Sequence, residues 1–134
     1  MKLLVKRLGL LAIIAALTGF IADAAYAQDE VIAKGSFVGK TGHKASGMMS
    51  LVKTDNGVEI RFGPNFSIKG APGPYLGFGK DGKYVKATQF SKLLKTTGAQ
   101  TYKVPASIDV SEFNEFYVWC KPFNVPLAFA KLTK

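Results

Sequence analysis

From Val31 onward the chain sustains no apolar pattern at helical spacing. Short runs rich in β-branched and aromatic residues recur instead between Gly, Pro, Asn and Asp. A chain cut this often cannot build long helices, and the spacing predicts an all-β fold, a small antiparallel β-sandwich. The candidate strands are Ile32–Val38, Ser46–Thr54, Gly57–Phe62, Tyr75–Gly79, Lys83–Gln89, Gln100–Val104, Phe116–Lys121 and Leu127–Leu132. Asp55-Asn56-Gly57 is the strongest local signal, because Asn and Gly accept the positive φ of a tight hairpin turn, and Asp81-Gly82 repeats it. One short helical turn is expected between Phe90 and Thr97, where Ser91 offers a cap and Gly98 a stop. No repeat or linker marks a second folded domain.

The opening residues read differently. Lys2, Lys6 and Arg7 precede fifteen uncharged residues, Leu8 to Ala22, and then the small-residue triplet Ala25-Tyr26-Ala27. This is the layout of a secretory signal peptide, with cleavage expected after Ala27. At about 1.5 Å per residue the apolar run reaches only ~22 Å, short of the ~30 Å needed to span a bilayer core. The expected division is therefore a signal peptide over residues 1–27 and one domain over 28–134, soluble after cleavage, with no transmembrane segment, and secreted or periplasmic. Loss of Lys2, Lys6, Arg7 and Asp23 takes the formal charge from +9 to +7.

Composition removes much chemistry. The only cysteine is Cys120 and the only histidine His43. Disulfide frameworks, cysteine-cluster zinc or iron–sulfur sites and multi-histidine copper sites are thereby excluded, and no metal site is expected. Haem is the exception, since one axial side chain can hold it. The Gly35–Thr41 stretch resembles a phosphate loop, but its first glycine is one position too close to Gly39-Lys40-Thr41 and no helix follows. Nothing around His43 resembles a nucleophile elbow. The lysines are scattered singly and no basic stripe carries regularly placed stacking aromatics, so nucleic acid is not an expected partner. They suit a solvated surface, or attraction to an anionic envelope component or an acidic partner.

The C-terminal third carries the densest signal. Six of the 16 aromatics lie between Phe113 and Phe129, and Cys120 sits among them in Tyr117-Val118-Trp119-Cys120-Lys121-Pro122-Phe123. Period-two alternation puts Val118 and Cys120 on one face and Tyr117 and Trp119 on the other. Pro122 and Pro126 lack an N–H, which predicts an edge or a break in the ladder there. Two readings of Cys120 stand side by side. In one it is a small buried hydrophobe. In the other it is a reactive thiol at a strand end, within reach of a partner or oxidant, surrounded by Trp119, Tyr117 and Phe123, with Lys121 favouring the thiolate. His43 likewise reads as a surface residue or as a ligand or proton-transfer partner.

The Trp119–Val125 stretch, with Pro105–Ser111 before it and Ala128-Phe129-Ala130 after it, resembles the DM-thirteen domain. Gly35-Ser36-Phe37, His43–Gly47, Asn65-Phe66-Ser67 and Gly73-Pro74-Tyr75-Leu76 agree, and the likeness spans about residues 33–132. The resemblance implies a β-sandwich-like domain, often found beside DOMON domains, with an electron-transfer role centred on the signature cysteine, as a bare thiol or as a ligand to a prosthetic group such as haem. Here the matching residues are Cys120 and, for the early histidine, His43. Relatives often carry an acidic residue after the proline where this chain has Pro74-Tyr75. The leading expectation is an exported redox module acting through Cys120, with His43, Trp119, Lys121 and Phe123 in the binding site and a separate redox partner protein. The alternative is a non-catalytic basic binding module of the cell envelope with Cys120 as core packing.

Overall fold

The computed structural model describes residues 29–134, so the expected signal peptide and its cleavage site lie outside the described residues. Eleven antiparallel strands appear in chain order: β1 (Glu30–Gly39), β2 (Ala45–Ser46), β3 (Met48–Thr54), β4 (Gly57–Phe62), β5 (Ser67–Ile68), β6 (Pro74–Lys80), β7 (Lys83–Tyr84), β8 (Ser91–Lys92), β9 (Gln100–Lys103), β10 (Glu115–Cys120) and β11 (Val125–Lys131). Two 3-10 turns, Lys86–Thr88 and Val110–Glu112, complete the secondary structure. No described helix is long and apolar enough to cross a membrane.

The main sheet runs β7-β6-β10-β11-β1-β3-β4-β9, and β2 pairs with β5 in a separate ribbon. The first part of β1 pairs with β3, from Glu30↔Lys53 to Ser36↔Met48. Its last part pairs with β11, from Phe37↔Ala130 to Gly39↔Ala128. One long strand thus passes from one layer into the other, and the sheet curls into the expected sandwich. Inward positions alternate along it: Ala33, Gly35 and Phe37 are buried while Lys34, Ser36 and Val38 face water. Gly35 is required by close approach, because a Cβ there would lie 2.8 Å from the Lys131 carbonyl oxygen.

Phenylalanines close the two layers. Phe62 of β4 meets Phe116 of β10 edge-on with centroids 6.0 Å apart, and Phe37 and Phe66 pack into the same cluster. Each fully buried ring stabilises the fold by about 1.5–3 kcal/mol relative to an exposed one, so these aromatics fix how the layers stack.

The expected helical turn between Phe90 and Thr97 does not form. Ser91–Lys92 is a short strand on β6, and backbone N–H groups of Phe90 and Leu93 donate to the carbonyls of Leu76 and Pro74. Phe90 packs on Phe78 at 6.2 Å. The edge of β6 offers both hydrogen bonds and an apolar neighbour, and this outweighs local helix capping. The expected strand Lys83–Gln89 stops at Tyr84 and continues as a 3-10 turn, whose Thr88 hydroxyl is buried and bonded to the backbone of Phe78. The expected Ser46–Thr54 run breaks at Gly47 (φ 102°), where a Cβ would lie 2.5 Å from the Phe66 Cα. Pro126 sits where the β10–β11 register slips, between Val118↔Ala128 and Trp119↔Pro126, which is the break that its missing N–H foretold.

Candidate functional site

β10 lies between β6 and β11, and its alternation is the expected one. Phe116, Val118 and Cys120 point into the core, while Tyr117 and Trp119 face outward. Cys120 is the last residue of β10, opposite Pro74 on one side and Val125 on the other, and its exposure is 0%. The thiol is therefore not surface-accessible, and Trp119, Tyr117 and Phe123 do not surround it as the strand-end reading expected. Period two sends the side chain inward even at the final position of the strand.

Its neighbours form the end of the sandwich above it. The Lys121 N–H donates to the Gly73 carbonyl at 3.1 Å. Lys121–Asn124 is the turn into β11, and Asn124 there has φ 52°. The Trp119 Nε1–H donates to Asn124 Oδ1 at 3.2 Å, bracing the turn. Phe123 projects at its tip with 71% exposure. The Lys121 ammonium lies 4.9 Å from the Tyr75 ring centroid, a cation–π contact. A depression of about 410 Å³ separates Lys121 and Pro122 from Lys92, with Gly73, Pro74 and Tyr75 on its floor and walls.

His43 lies on the same end by way of the segment after β5. Its Nδ1 is 3.1 Å from the Lys69 carbonyl oxygen, and Gly70 lies against the imidazole. Gly73, three residues on, abuts the Pro122 ring. Trp119, Lys121 and Phe123 thus adjoin Cys120 along the chain, whereas His43 lines a separate depression that shares no residue with the one beside Lys121.

The outer face of β10 holds an aromatic cluster that the sequence reading did not assemble. Tyr84 of β7 stacks on Trp119 with centroids 4.1 Å apart and planes at 10°. Tyr117 meets both rings edge-on and lies against Phe129 at 5.8 Å, and the Lys40 ammonium sits 4.5 Å from the Phe129 centroid. These rings border a second depression of about 370 Å³. Glu115 supports its floor, accepting from the Gly82 N–H at 2.7 Å and from the Tyr117 hydroxyl at 3.3 Å. Burial, and then the Glu115 charge, push the Tyr117 hydroxyl up to about 12, and burial pushes Tyr84 up as well. The available signal was aromatic content alone, since Tyr84 and Trp119 meet only through the strand order.

Carboxylates are confined to one part of the molecule, whereas lysines, among them Lys53, Lys80, Lys83, Lys103 and Lys131, occur at both ends. Carboxylates gather where β1 and β10 begin (Glu30, Glu115), in the hairpin turns (Asp55, Asp81) and in the second 3-10 turn (Asp109, Glu112). Arg61, in β4, binds the remaining two, Asp29 at 2.8 Å and Glu59 at 2.9 Å. The end beyond Gly39, Ile68, Pro74 and Cys120 carries Lys40, Lys44, Lys69, Lys92, Lys95 and Lys121, and among the described residues no carboxylate.

A haem does not fit these residues. The Cys120 sulfur is sealed among core side chains with no surface for an iron to approach. The depression beside His43 is lined by Gly39, Lys44, Ala45, Ser46, Ser67 and Lys69, a polar, cationic wall rather than the apolar slot a porphyrin needs.

Compared with known proteins, residues 36–132 match the family model described as electron transfer DM13. That match takes in Cys120, the Lys121–Asn124 turn and His43. No curated protein and no solved structure matches the chain.

Proposed function

This chain belongs to the DM13 electron-transfer family, and from that premise we propose that it is an exported electron-transfer module whose redox group is the bare thiol of Cys120. The observation that carries the reading is the placement of the chain's one thiol: the last residue of β10, directly beneath the Lys121–Asn124 turn and beside the depression between Lys92 and Lys121. A sulfur without exposed surface is reached through a local opening of that turn, which admits a small oxidant first. Two-electron chemistry suits a lone thiol. The thiolate attacks a hydroperoxide, its O–O bond breaks, and sulfenic acid and an alcohol form; two external thiols then restore Cys120, releasing water and a disulfide. With no second cysteine to resolve the intermediate, the reductant is a separate partner protein. The Lys121 ammonium lies over the Tyr75 ring at the surface above the buried sulfur, and Trp119 and His43 offer the partner contacts outside the depression. The charged leader followed by Ala25-Tyr26-Ala27 supports export.

The test is electron delivery from an external dithiol to a hydroperoxide, with sulfenic acid on Cys120 trapped by dimedone and read by mass. Cys120→Ser and Cys120→Ala are expected to abolish both signals while circular dichroism stays that of a β-sandwich. One observation favours a second reading: Cys120 packs within the main hydrophobic cluster. If the wild-type protein neither passes electrons nor forms sulfenic acid, the protein is a basic binding module of the envelope and Cys120 is core packing.

A further inference from the structure

The two most exposed large apolar side chains, Phe123 at 71% and Leu94 at 69%, both lie at the lysine-bearing end. They flank one feature. Lys92 and Leu93 from one segment and Lys121 and Pro122 from another line the 410 Å³ depression, and the exposed Leu94 and Phe123 follow directly in the chain on each. Each tip is also held. The Leu94 N–H donates to the Tyr102 hydroxyl at 2.9 Å, and Gln100 bonds both the N–H and the carbonyl of Lys95. The Asn124–Trp119 hydrogen bond braces the other tip at 3.2 Å. The backbone is fixed while the apolar side chains project into water, so ordering them on binding costs little further entropy.

We propose that this end docks on an anionic lipid surface, Phe123 and Leu94 entering the boundary between headgroups and acyl chains while the surrounding lysines lie against lipid phosphates. Charge complementarity selects the occupant. All six cations at this end are lysines, and the one described arginine, Arg61, is engaged with Asp29 and Glu59. Protein interfaces enrich arginine and deplete lysine, because bidentate pairing with carboxylates favours the planar guanidinium. A diffuse anionic surface needs only point charges close to it, and lysine on a flexible stem supplies them. Apolar tips ringed by cations are the complement of headgroup over acyl chain. The opposite end intersperses its lysines with carboxylates, Lys53 beside Glu30, Lys131 beside Glu115 and Lys80 and Lys83 around Asp81, so uncompensated positive charge is concentrated on the docking end. The proposal does not depend on the chemistry of Cys120.

The experiment is vesicle co-sedimentation of the full chain made in an exporting host, its N-terminus read by intact mass and identical in every variant. The probes are vesicles of phosphatidylcholine alone, vesicles of one part phosphatidylglycerol to two of phosphatidylcholine, and soluble polyglutamate. Binding is expected to the mixed vesicles only, weakening as salt rises. Leu94→Ser with Phe123→Ser should reduce partitioning about ten-fold or more. Lys92→Gln and Lys121→Gln should each reduce it about five-fold. Lys83→Gln with Lys103→Gln, at the opposite end, should leave it unchanged. Circular dichroism confirms that these surface variants fold. Absence of binding to mixed vesicles, wild-type binding by the double tip variant, or equal losses from the two ends would overturn the proposal. Retention by polyglutamate without vesicle binding would overturn it in favour of an acidic polypeptide partner.

Discussion

Alkylation of Cys120 in the native protein measures how the thiol is reached. With 0% exposure, iodoacetamide attacks only after an opening, and the smallest one lifts the Lys121–Asn124 turn. That movement breaks the Lys121 N–H bond to the Gly73 carbonyl, the Trp119 bond to Asn124, and the Cys120↔Val125 pairing. Phe123 adds nothing, being exposed already. Three interactions at about 0.5–1.5 kcal/mol each sum to about 1.5–4.5 kcal/mol, and the entropy the freed turn regains lowers the local opening free energy to about 1–4 kcal/mol. Each 1.4 kcal/mol is about a factor of ten, so native alkylation should be about 5- to 1,000-fold slower than that of unfolded protein at the same pH. The assay is a time course by intact mass, native and in guanidinium. A native rate within about three-fold of the unfolded one would refute the burial of the sulfur. Protection of about 10⁴-fold or more, relieved by denaturant only in step with global unfolding, would refute the local opening and with it a thiol that works in the folded state.

Gly73→Ala should loosen the same turn, because Gly73 has φ 52° and a Cβ there would lie 2.5 Å from the Pro122 ring; protection of Cys120 should fall about ten-fold with a much smaller change in the urea midpoint. Phe116→Ala, at 0% exposure between the layers, should cost about 3–5 kcal/mol in urea unfolding. Alkaline titration followed at 295 nm should show Tyr117 and Tyr84 ionising late. Their folded values lie above the usual phenol value of 10.0, so the stability they contribute is complete below pH 10 and is lost as pH rises through the raised values; for Tyr117 that window runs to about 12. Phenolate absorbance that reaches completion below pH 11 without any unfolding would contradict their burial.

Local signals carried the parts of the fold that depend on local chemistry. The Gly57–Phe62 strand, the hairpins at Asp55-Asn56-Gly57 and Asp81-Gly82 and the inward–outward alternation of β10 all follow from side-chain period and turn preference, and each is present, although in the first hairpin only Gly57 (φ 114°), already the first residue of β4, takes the positive φ expected of Asn56 and Gly57 together. What the sequence did not disclose was decided by partners far along the chain. Ser91–Lys92 became a strand because the edge of β6 was open beside it, and Gly47 split β2 from β3 because Phe66 passes against it. A residue's own neighbours say nothing about either.

The site divides along the same line. Alternation places Cys120 on the face opposite Trp119, which already implies that the rings of Trp119 and Tyr117 do not shelter its sulfur; lying near a strand end and being exposed are separate properties. Strand position sets which hydrogen bonds a residue makes, whereas exposure at the last pair depends on what covers the end. Here Pro74 and Val125 flank it and the Lys121–Asn124 turn closes over it. Lysines that look scattered along the chain gather for a topological reason. In antiparallel strands, residues just after one strand and just before the next share an end, so Lys40, Lys69 and Lys121, each following a strand, meet Lys44, which precedes β2, and Lys92, the last residue of β8, at an end without carboxylates, while the hairpin turns hold carboxylates interspersed with lysines at the other. The asymmetry of charge is therefore a property of the fold written in the sequence only once the strand order is known, and it leaves the buried thiol directly beneath the one end of the molecule that attracts anions.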